Sequence, residues 1–110
     1  MYKRPMAYIC ENGNQRKIKD HMGVIFYHGW TPVSTNLLYK NIVDKEVAED
    51  RKELDIMSKV LMRKSRIMFV CGKDITEEMK DEMVYAKSIG LIVVPLSGVV
   101  QIEEYLRGDE

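Results

Sequence analysis

This chain of 110 residues has few cysteines and no excess of charge of either sign. Its two cysteines show no regular framework, which predicts a protein of a reducing cytoplasm rather than a disulfide-stabilised one. Lys and Arg together number 17, as do Asp and Glu, and the basic residues are spread along the chain. Electrostatics therefore offers no argument for a nucleic acid or an acidic membrane surface as partner.

Long hydrophobic runs are missing as well. No stretch approaches the roughly 18 apolar residues of a membrane span. The N-terminal Met1–Pro5 is followed by a short strand-like run and does not have the pattern of a signal peptide. With 45% apolar residues the chain can bury a core, and we predict a single domain over residues 1–110, with no membrane partner.

Several familiar ligand motifs are absent. No G-x-G-x-x-G follows the first strand-like run, and Gly72–Asp74 lacks the rest of a P-loop. The two cysteines and two histidines have no zinc-ligand spacing. We therefore expect no metal and no cofactor, with the cysteines as packed thiols at strand ends and His21 as a solvated or partly packed helix residue.

Strand and helix patterns alternate along the chain. Short apolar runs predict strands at 5–10, 31–34, 66–71 and 91–95. Helical periodicity predicts helices at 15–27, 45–63, 76–90 and 99–106, with an irregular connection over 35–44. This order predicts a doubly wound parallel sheet with the first and third strands adjacent at its centre.

Five residues have expected positions within these elements. Phe26 belongs to the buried stripe of the first helix, and Gly29 is the left-handed stop after it. Val47 and Leu54 share the buried face of the second helix. We expect Trp30 to be a packing residue rather than a stacking platform.

Glu82 is a carboxylate where an apolar side chain is expected. It follows Met79 by three residues and precedes Ala86 by four, so it falls on the apolar face of its helix. A carboxylate facing a core must be hydrogen-bonded, paired or placed at a cleft, and burial would raise its pKa. The alternative is a glutamate at the border of the apolar face that reaches water or pairs with a lysine.

The ligand crevice of such sheets lies beyond the carboxyl ends of the strands. That rule selects residues 10–14, 34–39 and 71–82. The helix of Glu82 begins at this edge, capped by Thr76 or Asp74.

The same region resembles a known family. The similarity lies in Lys64–Gly72, Ile75–Met79, Glu82-Met83 and Ala86–Gly90, with further likeness in Ala7–Cys10 and His28–Val33. These motifs resemble small nucleoside 2-deoxyribosyltransferase-like proteins. The resemblance implies a flavodoxin-like or Rossmann-like α/β fold, a three-layer sandwich with a four- to five-stranded parallel sheet. It also implies a homodimer or higher homo-oligomer.

The resemblance further implies N-glycosidic chemistry on a nucleoside or nucleotide, without a cofactor. Glu82 matches the position of the nucleophile, and Tyr8 matches a tyrosine of the first strand that orients it. The segments around these two residues match the substrate-binding positions, which are Cys10, Glu11, Asn12, Gly13, Gly72, Thr76, Glu78 and Met79.

Three departures from the family pattern leave two functions open. Glu78 stands where the family has glycine, Arg66 where relatives have an acid, and Glu11–Gly13 where relatives often have Ser-Pro or Gly-Pro. An acidic pocket would disfavour phosphate unless Lys73 or Arg16 offsets it. The chain is either an N-glycosidic hydrolase or transferase, or a catalytically inactive module that binds a nucleotide-like ligand or mediates self-association.

Overall fold

The computed structural model describes residues 4–13, 15–39, 42–44, 46–72 and 74–96. Strands and helices alternate along the chain, as the sequence predicts. Their order is β1 (Met6–Cys10), α1 (Gln15–Tyr27), β2 (Thr31–Val33), α2 (Thr35–Tyr39), α3 (Ala48–Lys64), β3 (Ile67–Val70), α4 (Glu77–Ser88) and β4 (Ile92–Pro95). The helix expected at 99–106 lies outside the described residues.

The four strands form one parallel sheet in the order β2-β1-β3-β4. The predicted adjacency of the first and third strands is confirmed, since Ala7 pairs with Ile67 and Cys10 with Val70. These two central strands carry continuous apolar runs because each is covered on both faces. The architecture is α/β and flavodoxin-like, in agreement with the prediction.

Side chains of the central strands alternate between two cores. On one face, Ile9 and Phe69 pack with Ile25 of α1 and with Trp30. On the opposite face, the strands contact Met62 of α3 together with Met79 and Ala86 of α4. The sheet therefore separates α1 from α3 and α4, which makes three layers.

Helix α1 ends just before Gly29, the glycine that predicts its end. Gly29 adopts a φ of +94°, the left-handed conformation that glycine accepts without a Cβ penalty. The chain then turns into Trp30, whose ring packs edge-to-face on Phe69 with centroids 5.8 Å apart. The predicted packing role of Trp30 is confirmed.

The buried faces of two helices differ from expectation. Phe26 was predicted to be buried but is 48% exposed. Its ring instead lies 4.3 Å from the guanidinium carbon of Arg4, which donates hydrogen bonds to the Phe26 and Trp30 carbonyls. On α3, Leu54 is buried as predicted, whereas Val47 precedes the first turn and is 45% exposed.

The segment expected to be an irregular connection contains α2. This helix has only five residues, too few to show a helical repeat in the sequence. Its first residue, Thr35, is buried, and this position brings a hydroxyl to the carboxyl end of the sheet. Across the described residues, no helix combines the length and apolarity that crossing a membrane requires.

We expect Phe69→Ala to lower the free energy of unfolding by about 3–5 kcal/mol, because the ring is fully buried and its removal leaves a cavity. Urea denaturation followed by Trp30 fluorescence would measure the change. Val84→Ala is the matched control, since Val84 is 68% exposed and should change stability by less than about 0.5 kcal/mol. Equal effects of the two substitutions would contradict the assignment of the core.

We also expect the protein to self-associate. Leu38, Ile42 and Ile56, on and beside α2 and α3, are 49%, 74% and 45% exposed, and contact with a second copy of the chain would remove their apolar surface from water. Light scattering at tens of micromolar protein should give at least twice the 12.8 kDa chain mass. A monomer mass under those conditions would contradict this expectation.

Candidate functional site

A cavity of about 650 Å³ opens at the carboxyl edge of the sheet. Its walls come from the end of β1, from α2 and the residue before it, and from α3 and α4. The volume lies within the range of small-molecule sites. The position agrees with the crevice expected for a parallel α/β sheet.

The start of α4 is held in place by its cap. The Thr76 hydroxyl accepts a hydrogen bond from the Met79 amide at 3.2 Å, and Met79 is itself buried. Glu82 follows one turn later, between the buried Met79 and Ala86, and lines the cavity. The helical spacing in the sequence thus predicted the direction of this carboxylate correctly.

A chain of hydroxyl groups ends on Glu82. The Tyr8 hydroxyl donates to Glu82 Oε2 at 2.5 Å. Thr35 Oγ1 lies 3.2 Å from the Tyr8 oxygen, and the Ser58 hydroxyl donates to Thr35 Oγ1 at 2.9 Å. Because Tyr8 has one proton and gives it to Glu82, Thr35 donates to Tyr8. The order of donation is therefore Ser58 to Thr35 to Tyr8 to Glu82.

The surroundings of Glu82 raise the pKa of its carboxyl group. Burial is the largest cause, and the charges of Glu78 and Asp55 act in the same direction. Hydrogen bonds from Tyr8 and Cys10 oppose it by stabilising the carboxylate. The predicted upward shift is confirmed, which means that desolvation outweighs the two donors.

Tyr8 is a neutral donor at neutral pH. Burial and then the neighbouring Glu82 charge raise the pKa of its hydroxyl well above its usual value near 10. Cys10 behaves similarly, since burial and then the Glu82 charge raise the pKa of its thiol. The single proton of the Cys10 thiol has two acceptors within reach, the Met79 carbonyl at 3.7 Å and the Glu82 carboxylate. Neither group is therefore a nucleophile at neutral pH.

The cavity is acidic. Among the described residues, five acidic and two basic residues line it, and both basic residues are on α3; the Glu11 carboxylate, however, is buried and turned towards His21. The acidic residues are Glu11, Asp55, Glu78, Asp81 and Glu82, and the basic residues are Arg51 and Lys59. Lys73 and the Arg16 side chain, which the sequence suggested as compensating charges, lie outside the described residues.

Four of the ten predicted site residues line the cavity, and six do not. The lining includes Tyr8, Glu11, Glu78 and Glu82. The remaining predicted positions, which do not line it, are Cys10, Asn12, Gly13, Gly72, Thr76 and Met79. Of these, Cys10 and Met79 are buried beneath the cavity and Thr76 caps α4.

Gly13 does not line the cavity but lies next to a residue that does. Its φ is +94°, and a Cβ placed there would lie 3.8 Å from the Asn36 amide nitrogen, whose residue lines the cavity. Gly72 also has a positive φ, +91°, in the turn after β3. Both glycines therefore shape the backbone at the sheet edge rather than the cavity wall.

Sequence reasoning missed Ser58 and Asp55, and it included Thr35 only as part of the crevice segment 34–39. Ser58 lies four residues after Leu54 and four before Met62, both of which are buried. This is the same signal that identified Glu82, a polar residue inside an apolar helical face. Thr35 had no comparable signal, since α2 is too short to show a repeat.

A second polar cluster lies on the other face of the sheet. Glu11 Oε2 is 3.0 Å from His21 Nδ1. Together with Cys71 Sγ, these side chains offer three ligand atoms that lie within 4.8 Å of one another. Glu11 and Cys71 are buried, whereas the His21 side chain is 18% exposed, which agrees with the prediction of a solvated or partly packed residue.

The solved structures include one with the same fold. A 2-deoxyribosyltransferase from the psychrotolerant bacterium Bacillus psychrosaccharolyticus, described as a biocatalyst for the synthesis of antiviral and antitumoral nucleosides, superimposes with a TM-score of 0.69. The match covers 82% of this chain and 70% of that one, at 14% identity. At this identity the similarity establishes the fold. Curated proteins provide no sequence match.

A family match covers most of the sequence. Residues 5–95 match the family described as "Domain of unknown function (DUF7768)". This range includes all four strands, both polar clusters and the cavity. The chain therefore belongs to the DUF7768 family.

Proposed function

We propose that this protein cleaves the N-glycosidic bond of a nucleoside, either as a hydrolase or as a deoxyribosyltransferase, with Glu82 as the nucleophile. The observation that carries the proposal is the Glu82 carboxylate, which lines a cavity at the sheet edge and accepts a hydrogen bond from Tyr8 at 2.5 Å. The fold that this chain shares with a 2-deoxyribosyltransferase supports the same chemistry.

Tyr8 has the properties of a positioning residue for this nucleophile. Its hydroxyl bonds Oε2 of Glu82, which leaves Oε1 for attack on a sugar carbon. Thr35 and Ser58 hold the tyrosine hydroxyl by donating towards it, so its proton is directed at Glu82. A nucleophile held in this way loses less rotational freedom when it reacts.

The reaction proceeds in two displacements. A Glu82 oxygen forms a bond to the anomeric carbon while the carbon–nitrogen bond breaks, and the base leaves with the electron pair and takes a proton from solvent. Water, or the nitrogen of a second base, then attacks the same carbon. The glutamyl–carbon bond breaks, its electron pair returns to the carboxylate, and the attacking group loses its proton.

Charge in the cavity favours a neutral nucleoside over a nucleotide. A phosphate group would meet the negative potential of carboxylates such as Glu78 and Asp81, with Arg51 and Lys59 as partial compensation. A neutral nucleoside brings hydroxyl and amine donors, which carboxylates accept. The free, buried cysteines suit action in a reducing cytoplasm.

A catalytically silent binding module is the second candidate. Glu78 favours it, because this residue lines the cavity at the start of α4 and its charge further raises the pKa of Glu82. A protonated Glu82 donates rather than attacks, and the site would then bind a ligand without cleaving it. Base release by the wild-type protein distinguishes the two candidates.

We expect Glu82→Gln to abolish base release, a loss of about a thousandfold or more in kcat. Glutamine keeps the size of the side chain and accepts from Tyr8, but its amide is not a nucleophile. The measurement is chromatography of free base after incubation with a panel of nucleosides and nucleoside monophosphates.

Glu77→Gln is the matched control, because Glu77 is on the same helix, is highly exposed and pairs with Lys80. It should retain wild-type turnover. Turnover that survives Glu82→Gln would refute the mechanism, and a wild type that releases no base from any substrate would favour the binding module.

The acid limb of kcat/KM should lie above pH 4.5, since the pKa of Glu82 is raised and only its ionised form attacks. Activity is therefore lost as the pH falls through the raised pKa. Tyr8→Phe removes a hydrogen bond that lowers this pKa, so the limb should move to higher pH. Tyr39→Phe serves as the control for removal of a tyrosine hydroxyl. If the acid limb of Tyr8→Phe stays at the same pH or moves to lower pH, the hydrogen bond from Tyr8 does not lower the pKa of Glu82.

A further inference from the structure

Glu11, His21 and Cys71 converge from three elements that are distant in sequence. Glu11 follows β1 and Cys71 follows β3, while His21 lies on α1. The Cys71 amide donates to the Cys10 carbonyl at 3.0 Å, which extends the β1–β3 pairing beyond the last paired residues. This pairing places Glu11 beside Cys71 at the sheet edge.

The strand alternation puts this cluster on the α1 side of the sheet. Cys71 packs in the core that contains Ile25 of α1, whereas Cys10 packs in the core of α3 and α4. His21 lies three residues after Ile18 and four before Ile25, both fully buried, so its ring faces the sheet. The cluster is therefore separated by the sheet from Tyr8 and Cys10.

Hydrogen bonding within the described residues leaves this cluster incomplete. The Glu11 side chain is 2% exposed; its Oε2 meets His21, but its Oε1 is buried without a hydrogen-bond partner. A buried carboxylate oxygen without a partner is unfavourable, because it has lost its hydration and gained no donor in exchange. A cation bound by the carboxylate would satisfy both oxygens at once.

We propose that Glu11, His21 and Cys71 bind a divalent transition-metal ion, and that their donor set selects Zn²⁺. A thiolate, an imidazole and a carboxylate are the three ligand types of protein zinc sites, and three protein ligands leave a fourth position for water. Mg²⁺ and Ca²⁺ require oxygen ligands and do not match a thiol. Glu11 also lines the cavity, so the metal site adjoins the proposed nucleoside site, but none of its three ligands takes part in the displacement steps proposed above.

The geometry is close to what tetrahedral zinc needs. Metal–ligand bonds of about 2.0–2.3 Å place ligand atoms about 3.2–3.8 Å apart. Glu11 Oε2 and His21 Nδ1 are 3.0 Å apart, and all three ligand atoms lie within 4.8 Å of one another. Side-chain rotation of His21, which is 18% exposed, covers the remaining difference and gives the ion a route from solvent.

This site could not be predicted from the sequence because its ligands share no motif. Zinc motifs place pairs of ligands within a few residues of each other, whereas here the separations are 10 and 50 residues. The expectation of no metal came from this spacing. The register of β1 and β3, with α1 packed across them, is what assembles the three donors.

Titration of the purified protein with Zn²⁺ alone, and in parallel with Co²⁺ alone, tests the proposal. We expect one equivalent of Zn²⁺ by calorimetry and a thiolate-to-cobalt charge-transfer band in the near ultraviolet. Cys71→Ala should abolish the band, and His21→Asn should weaken Zn²⁺ binding at least about 100-fold. Asparagine keeps a donor near the Nδ1 position, so it preserves the hydrogen bond to Glu11.

The chain supplies a matched control for each ligand. Cys10→Ala removes the other buried cysteine, on the opposite face of the sheet, and His28→Asn removes the other histidine. Both should retain the band and the affinity, and circular dichroism verifies that each variant folds. If Cys71→Ala does not fold, His21→Asn and His28→Asn make the same comparison.

Three outcomes would overturn the proposal. The first is no cobalt band in the wild type, and the second is a band that disappears with Cys10 rather than Cys71. The third is Zn²⁺ affinity that His21→Asn leaves unchanged. Displacement of Zn²⁺ by an equal concentration of Mg²⁺ would also contradict the assignment, because it would indicate a site made of oxygen ligands alone.

Discussion

Parallel pairing of β1 with β3 is the constraint on which both polar clusters depend. The register that joins Tyr8 to Met68 and Cys10 to Val70 decides which side chains point to each face of the sheet. A shift of one residue would exchange the two cores and move Tyr8 away from Glu82. The apolar composition of both strands holds the register, because each strand is buried on two faces.

Burial of Glu82 is unfavourable for the charged form of its carboxyl group. Desolvation disfavours its charge, and neighbouring Glu78 and Asp55 add to that effect. A hydrogen bond from Tyr8, itself fixed by buried hydroxyls, opposes it without overcoming it. In the function that we propose, a carboxylate destabilised in this way would react more readily with an electrophilic carbon, because formation of the bond removes its charge.

The two polar clusters follow one structural rule on opposite faces. Each has a side chain from the β1 end, Tyr8 or Glu11, and a polar residue from inside the apolar face of a helix, Glu82 or His21. A polar residue at such a position needs a hydrogen-bond partner on the element against which it packs. The same rule identifies Ser58 on α3, whose hydroxyl continues the chain to Tyr8 through Thr35.

The local pattern of the sequence was sufficient to predict the positions of most helices and strands. The bounds of α1, its stop at Gly29 and the strands β1 and β3 agree with prediction because short-range periodicity and turn chemistry determine them. The position of α2 was missed because five residues show no repeat. Phe26 was misplaced because its apolar character was read without Arg4, which covers its ring from the N-terminal segment.

For the site, sequence alone determined the direction of Glu82 and the edge of the sheet at which it lies. Spacing within one helix determines the direction of a side chain, since residues three and four apart share a face. Only the tertiary structure decided the partners. Tyr8 and Glu82 are separated by 74 residues and Thr35 and Ser58 by 23, while Glu11, His21 and Cys71 come from two strand ends and a helix. These contacts depend on strand register and on how helices cross the sheet, and no local pattern records either.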